Sequence, residues 1–183
     1  MERAFAITAL LALAGCSGVS YNYDFDPGAD FAGYQTYLWV EPGEDLGPNP
    51  RGVDQLSERR IMQAVDGQMA AKGYRKIERG QPDFALNFVV TTQQNVDYTT
   101  YHTGWGYGGG WYRGGAGMAT SRTTATEWTE GTLILDVYDA GARELVWRGT
   151  ATAEIRESQS PEERNQRINE VVAKMLERYP PQS

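Results

Sequence analysis

The stretch from Thr132 to Ile155 limits the fold more than any other. Leu133, Leu135 and Val137 fall on one face of an alternating run. The return run places Leu145, Trp147, Ala151, Ala153 and Ile155 on one face, and Glu144, Arg148, Thr150, Thr152 and Glu154 on the other. A period of two residues marks a half-buried strand. Asp139-Ala140-Gly141-Ala142 between the runs predicts a tight hairpin turn, with Gly141 at the position that needs a positive φ. A hairpin with one apolar face must be covered by something. The chain has one cysteine, so no internal disulfide can help and packing must hold the cover in place.

Two helices are available as that cover. After Asp54 or Ser57 as a cap, Ile61, Ala64, Val65 and Met69 recur at steps of three and four. Gly73 ends this helix as a left-handed cap and lets Tyr74 fold back toward Met69. The second begins at Ser160-Pro161-Glu162-Glu163, where Ser160 caps, Pro161 fits the first helical position and Glu163 completes a capping box. Its apolar face is Ile168, Val171, Val172, Met175, Leu176 and Tyr179, and Pro180-Pro181 stops it.

The remaining segments read as strands and loops. Val19, Tyr21, Tyr23 and Phe25 alternate with polar residues, and Asp26-Pro27-Gly28 then turns the chain. A strand follows at about Thr36 to Val40. Residues 41–52 carry so many prolines and glycines that a surface loop is expected. Phe84, Leu86, Phe88 and Val90 open another strand after Pro82-Asp83, and β-forming residues continue through Tyr101. Thr120 to Trp128 reads as a separate strand before the one at Thr132. The order β-β-α-β-β-β-β-α, with mostly hairpin connections, predicts an α+β two-layer sandwich. Its sheet is expected to be mainly antiparallel, with both helices on one face.

The N-terminus carries a different signal. Ala4 to Ala14 is apolar apart from Thr8, yet far shorter than the roughly 20 residues of a spanning helix. It has the length of a signal-peptide core. Leu13-Ala14-Gly15-Cys16 at its end resembles the lipobox of bacterial lipoproteins. That resemblance implies a signal peptide over residues 1–15 and a lipidated N-terminus at 16–18 with acyl chains on Cys16. A single domain over 19–179 would follow. Ser17, rather than Asp, after the cysteine implies the outer membrane. No basic run interrupts a formal net charge of -7. Nucleic acid is therefore not an expected partner, and the bilayer would be held through lipid rather than through charge.

Several motifs in order resemble one known family. Tyr23-Asp24-Phe25-Asp26-Pro27, Ala29-Asp30-Phe31 and Tyr34-Gln35-Thr36-Tyr37-Leu38-Trp39 are similar to the opening of the lipoproteins that share domain of unknown function 4136 (DUF4136). Lys72-Gly73-Tyr74 and Pro82-Asp83-Phe84 match its middle. Glu130-Gly131-Thr132-Leu133 through Leu145-Val146-Trp147-Arg148-Gly149 matches its terminal hairpin. The resemblance implies a bacterial envelope protein with a lipid anchor and an α+β fold. It implies no activity and no catalytic residues.

Few residues suggest chemistry. Asp24, Asp26, Gly28 and Asp30 have the alternate spacing of a calcium loop, but Pro27 interrupts them and no bidentate acid follows. A solvated turn with a capping Asp is the plainer account, and no metal is expected. His102, the sole histidine, lies beside a glycine-rich run that is a poor support for a base. The pairs Asp136/Asp139 and Glu127/Glu130 are the carboxylates an envelope hydrolase would use. The stronger candidate is the segment Gly104 to Gly117, more than half glycine, with Trp105, Tyr107, Trp111 and Tyr112 among the glycines. Glycine loses the most freedom on ordering, so a mobile insertion over 104–117 is expected. Its rings would bind a partner or cover a sheet edge. The expectation is a non-enzymatic, periplasm-facing outer-membrane lipoprotein. It would need no cofactor beyond the lipid on Cys16, and would bind an envelope protein or peptidoglycan. The alternatives are a carboxylate-dependent hydrolase and a structural subunit that self-associates through sheet edges.

Overall fold

A computed structural model describes residues 18–41, 51–103, 120–155 and 159–181, with backbone alone for 97–103 and 120–122. One six-stranded sheet runs in the order β1-β6-β5-β4-β2-β3. Its strands are β1 (Val19–Phe25), β2 (Thr36–Trp39), β3 (Arg75–Lys76), β4 (Phe84–Thr103), β5 (Thr120–Asp139) and β6 (Glu144–Glu154). Two helices, α1 (Gln55–Ala71) and α2 (Pro161–Leu176), supply the second layer. The fold is α+β, as expected.

The sheet is mixed, though mostly antiparallel. β2 pairs parallel with both β3 and β4. The reason is connectivity: β2 is followed by a helix, and a strand–helix–strand crossover returns in the same direction. The two-residue β3 carries no periodicity of its own, so the sequence did not announce it. A second correction concerns Thr120 to Tyr138. Thr120–Trp128 and Thr132–Tyr138 are not separate strands but one 20-residue strand, β5, running unbroken through Gly131. Its partner β4 is also 20 residues long.

α1 begins at Asp54, whose side chain accepts from the backbone N–H of Leu56 and Ser57. It buries Ile61, Ala64, Val65 and Met69, the stripe the sequence marked. Gly73 takes φ 91°, and the Tyr74 N–H returns to the Met69 carbonyl at 3.0 Å. The capping box at Ser160 and Glu163 is formed in both directions.

The core lies between the helices and one sheet face, from Tyr37 and Trp39 through Phe84, Leu86, Phe88, Leu135 and Val137 to Trp147 and Ala151. Two details differ from expectation. The turn after Asp139 spans four residues, and its positive φ falls on Arg143 (61°), not on Gly141. Val146 is the extra residue at a β-bulge, because Val137 faces Trp147 while Tyr138 faces Leu145. The bulge interrupts the alternation. Val146 and Trp147 are both buried, and Leu145, expected in the core, is 39% exposed.

Arg51, expected on a surface loop, is also buried, at 3% exposure. It sits where β2 stops and β4 continues. Its Nη2 donates to the Val40 carbonyl at 2.7 Å, and its Nη1 donates to Asn87 Oδ1 at 2.9 Å. The guanidinium lies 4.7 Å from the Phe88 ring centre and pairs with Glu58 at 3.0 Å. Its carbonyl accepts from the Val90 N–H, and Gly52 beside it (φ 76°) leaves no room for a Cβ against the Val90 carbonyl.

Candidate functional site: the open end of the sheet

One row of residues organises this end of the molecule. Val19 pairs with Ala153, Ala153 with Gly131, and Gly131 with Thr92, across β1, β6, β5 and β4. At this row β1 begins, and β6 ends one residue beyond it. β4 and β5 continue as a two-stranded ribbon to the pair Thr103 and Thr120. About ten residues at roughly 3.3 Å each make that ribbon some 33 Å long. In chain order Cys16 stands three residues before Val19, a reach of about 10 Å. Thus the chain enters from the direction of Cys16 at the same end from which the ribbon departs. Cys16 itself and Trp105, Tyr107, Trp111 and Tyr112 lie outside the described residues, as does the side chain of His102.

Below this row the two layers do not close. A cavity of about 510 Å³ lies between the N-terminal halves of both helices and the sheet. Val90, Leu133, Ala151, Ala153, Ile168 and Val171 are among the residues that form its wall. Ile168 and Val171 belong to the α2 face expected in the core, and both are only half-buried. The sequence marked these residues as apolar, but gave no sign that they fail to meet across the layer.

The carboxylates fall into separate roles. Asp136 and Asp139 stand three residues apart on one strand, as do Glu127 and Glu130, so the members of each pair point to opposite faces. Neither pair can flank one bond. Asp136 holds Arg148 across the strands at 2.6 and 2.8 Å. Asp139 accepts from the Ala142 N–H and from the Tyr34 hydroxyl, and those bonds hold its carboxyl below the usual range. Asp83 accepts from the Thr36 hydroxyl and from the backbone N–H of Thr36 and Gln35, which lowers it likewise. Asp30, Asp83 and Asp139 line a second pocket, of about 490 Å³, together with Tyr34. A lowered carboxyl is ionised at neutral pH and cannot serve as a general acid there. Asp26 caps its own turn, accepting from Gly28 N–H at 2.8 Å. No three metal-ligating side chains converge among the described residues.

The motifs across the whole sheet and both helices now meet one family profile, which matches residues 21–181. The chain belongs to the DUF4136 family, a domain of unknown function. No curated protein matches this DUF4136 chain. Among solved structures it is similar to a PDZ domain protein from Parabacteroides distasonis, at 12% identity and a TM-score of 0.56. That likeness covers 90% of this chain but 36% of the other, so the DUF4136 chain spans little more than a third of that protein. It is a likeness of fold. A PelC dodecamer from Paraburkholderia phytofirmans aligns at 10% identity and a TM-score of 0.46, over 86% of this chain and 94% of that one. A putative neuraminyllactose-binding hemagglutinin homolog from Helicobacter pylori aligns at 12% and 0.37, over 79% and 80%. No helix of the DUF4136 chain, among the described residues, is long and apolar enough to cross a membrane.

Proposed function

We propose that this DUF4136 protein is a lipid-anchored, non-enzymatic protein of the bacterial outer membrane. Its domain faces the periplasm and engages an envelope partner from its open end. One observation carries the reading: chain entry near Cys16 and departure of the β4–β5 ribbon share one end of the sheet. A bilayer held within about 10 Å of Val19 lies within reach of a ribbon some 33 Å long. Acyl chains contribute about 0.8 kcal/mol per buried methylene, so several chains on Cys16 would hold the protein at the membrane. Such a ribbon favours a protein at the membrane surface over peptidoglycan further off. The ionised, bonded states of Asp83 and Asp139 count against the hydrolase alternative. The part assigned to Trp105, Tyr107, Trp111 and Tyr112 rests on the sequence alone.

Mass spectrometry of protein from the envelope fraction is expected to find acyl chains on Cys16, and Cys16→Ser should move the protein to the soluble fraction. A photo-crosslinker at Thr103 should then capture a membrane protein, while purified sacculi should not sediment the domain. An unmodified thiol on a soluble protein would overturn the anchor, and capture by sacculi alone would overturn the choice of partner.

A second reading, self-association, has one observation in its favour. Beyond Thr91 the outer edge of β4 has no neighbouring strand among the described residues. A two-stranded ribbon is at best marginally stable alone, and an open edge invites another strand. Light scattering on the Cys16→Ser protein decides it: a monomer at all concentrations removes it.

A further inference from the structure

We infer that the cavity at the open end is a binding site for a free single-chain fatty acid, acyl chain inward and carboxylate at the mouth. The inference concerns residues on α1, α2 and the sheet, and does not depend on Cys16 being acylated. Small-molecule sites typically enclose about 300–1,000 Å³, mostly apolar, with a few polar groups fixing orientation. This cavity has about 510 Å³. Its floor is built from small residues, Gly131, Ala151 and Ala153, where large ones would have closed the layer. Gly131 leaves no spare room sideways: a Cβ there would meet Ile155 Cδ1 at 2.9 Å. Among the described residues the walls are branched aliphatics, which suit a flexible hydrocarbon and offer no ring for stacking. Ser57 is no competing polar anchor inside, since its hydroxyl is already given to Asp54 at 2.7 Å.

The charge at the mouth selects the head group. Arg164 and Arg167 on α2 line it, and neither forms an ion pair among the described residues. Arg164 Nε donates to the Gln159 carbonyl at 3.2 Å, which sets the guanidinium at the rim. Among the described residues of the lining Glu154 is the one acid, so two cations stand there against one anion. Guanidinium groups pair with carboxylates in a bidentate geometry. An uncharged or cationic amphiphile would give neither guanidinium an ion pair.

The test is displacement of dansyl-undecanoate by palmitate, followed by fluorescence on the Cys16→Ser full chain. Saturable binding is expected, with the dansyl signal lost as palmitate is added. Ala153→Leu fills the floor and should weaken binding tenfold or more. Arg164→Gln with Arg167→Gln, both at the rim of the cavity, should weaken palmitate several-fold while leaving its methyl ester unchanged. Circular dichroism melts confirm that each variant is folded. Absence of saturable binding to the unsubstituted protein would overturn the inference, as would wild-type affinity in folded Ala153→Leu. Protein carrying acylated Cys16 should also take up the probe. If it refuses the probe while the Cys16→Ser form accepts it, the occupant is the protein's own acyl chain and the free ligand falls. An unmodified Cys16, which would end the anchor proposed above, leaves these outcomes as they stand.

Discussion

The two ends of the helix–sheet interlayer differ in how far they are filled. At the end near the β5–β6 turn, rings fill the space. Trp147 and Tyr179 lie 5.2 Å apart between centres, Tyr74 and Phe84 5.3 Å, and Tyr34 and Phe84 5.4 Å, with Phe31 6.1 Å from Tyr179. At the other end Val90, Leu133, Ile168 and Val171 surround open volume. Four of the sealing rings come from outside the long strands and helices: Phe31, Tyr34 and Tyr74 from connections, and Tyr179 from the segment after α2. Closure is thus supplied by segments between and after the elements. The end that lacks such aromatic connections, among the described residues, stays open.

The largest effect expected from breaking this contrast is at Trp147, which is fully buried and touches the Tyr179 ring. Trp147→Ala should cost about 3–5 kcal/mol. Leu133→Ala at the half-buried open end should cost about 1 kcal/mol, because part of its surface already faces open volume. Chemical denaturation of both variants measures the gap. Equal losses would mean that the two ends are packed alike.

Between the ends, Arg51 holds β4 where β2 stops. Arg51→Ala should cost about 3 kcal/mol, since it strips partners from the Val40 carbonyl, Asn87 and Glu58 in a mostly buried setting. A loss below about 1 kcal/mol in denaturant would show that residues 51–53 merely lie against the sheet.

Gly149 probes the closed end from the opposite direction. A Cβ there would overlap the Trp147 ring and come within 2.9 Å of Met175 Cγ. Trp147 is backed by Tyr179 and has little room to shift, so Gly149→Ala should cost about 1–3 kcal/mol. The midpoint in guanidinium reports it.

How far all this was legible in the sequence depends on the kind of information. The α1 stripe, the caps at Asp54 and Ser160 and the terminal hairpin were visible because each is written in a local period or a local hydrogen bond. The parallel pairing of β2 was not, since its partners stand beyond a whole helix. Arg51 read as loop because residues 41–52 are rich in breakers, and the burial of one arginine depends on distant Phe88 and Trp39. Leu145 was misplaced because a bulge changes a face without changing composition. The cavity was invisible for a related reason: apolar residues at the right period say that a face turns inward, not that it meets another.

Stability should also respond to pH, mostly through groups at the closed end. Burial pushes the hydroxyls of Tyr34, Tyr74 and Tyr179 above their ordinary value of 10.0. A raised folded pKa gives stability that is present below pH 10 and lost as the pH climbs above it, because the unfolded chain ionises first. On the acid side Asp54, Asp83 and Asp139 are lowered by the hydrogen bonds they accept. Their contribution is complete above the usual carboxyl range near about pH 4 and disappears as the pH falls through their lower folded values. Thermal melts should therefore show a plateau between these limits. Asp83→Asn should flatten the acid limb and leave the alkaline one as it is; an unchanged acid limb would mean that the Asp83 bonds to Thr36 do not survive in solution.

The smallest effect is the most informative about the open end. Ala153→Leu adds apolar volume just as Gly149→Ala does, four residues further along the same strand and on the same face. At Gly149 the new atoms have nowhere to go. At Ala153 they enter unfilled space, where burial of a few methylenes offsets the rotamer freedom a leucine gives up. The change should thus lie within about 0.5 kcal/mol of zero, of either sign. A loss above about 1.5 kcal/mol would say that the layer is already closed over Ala153 and that the contrast between the ends is false. A neutral result, beside a costly Gly149→Ala, would mean that strand β6 crosses from a packed interior to a vacant one within four residues.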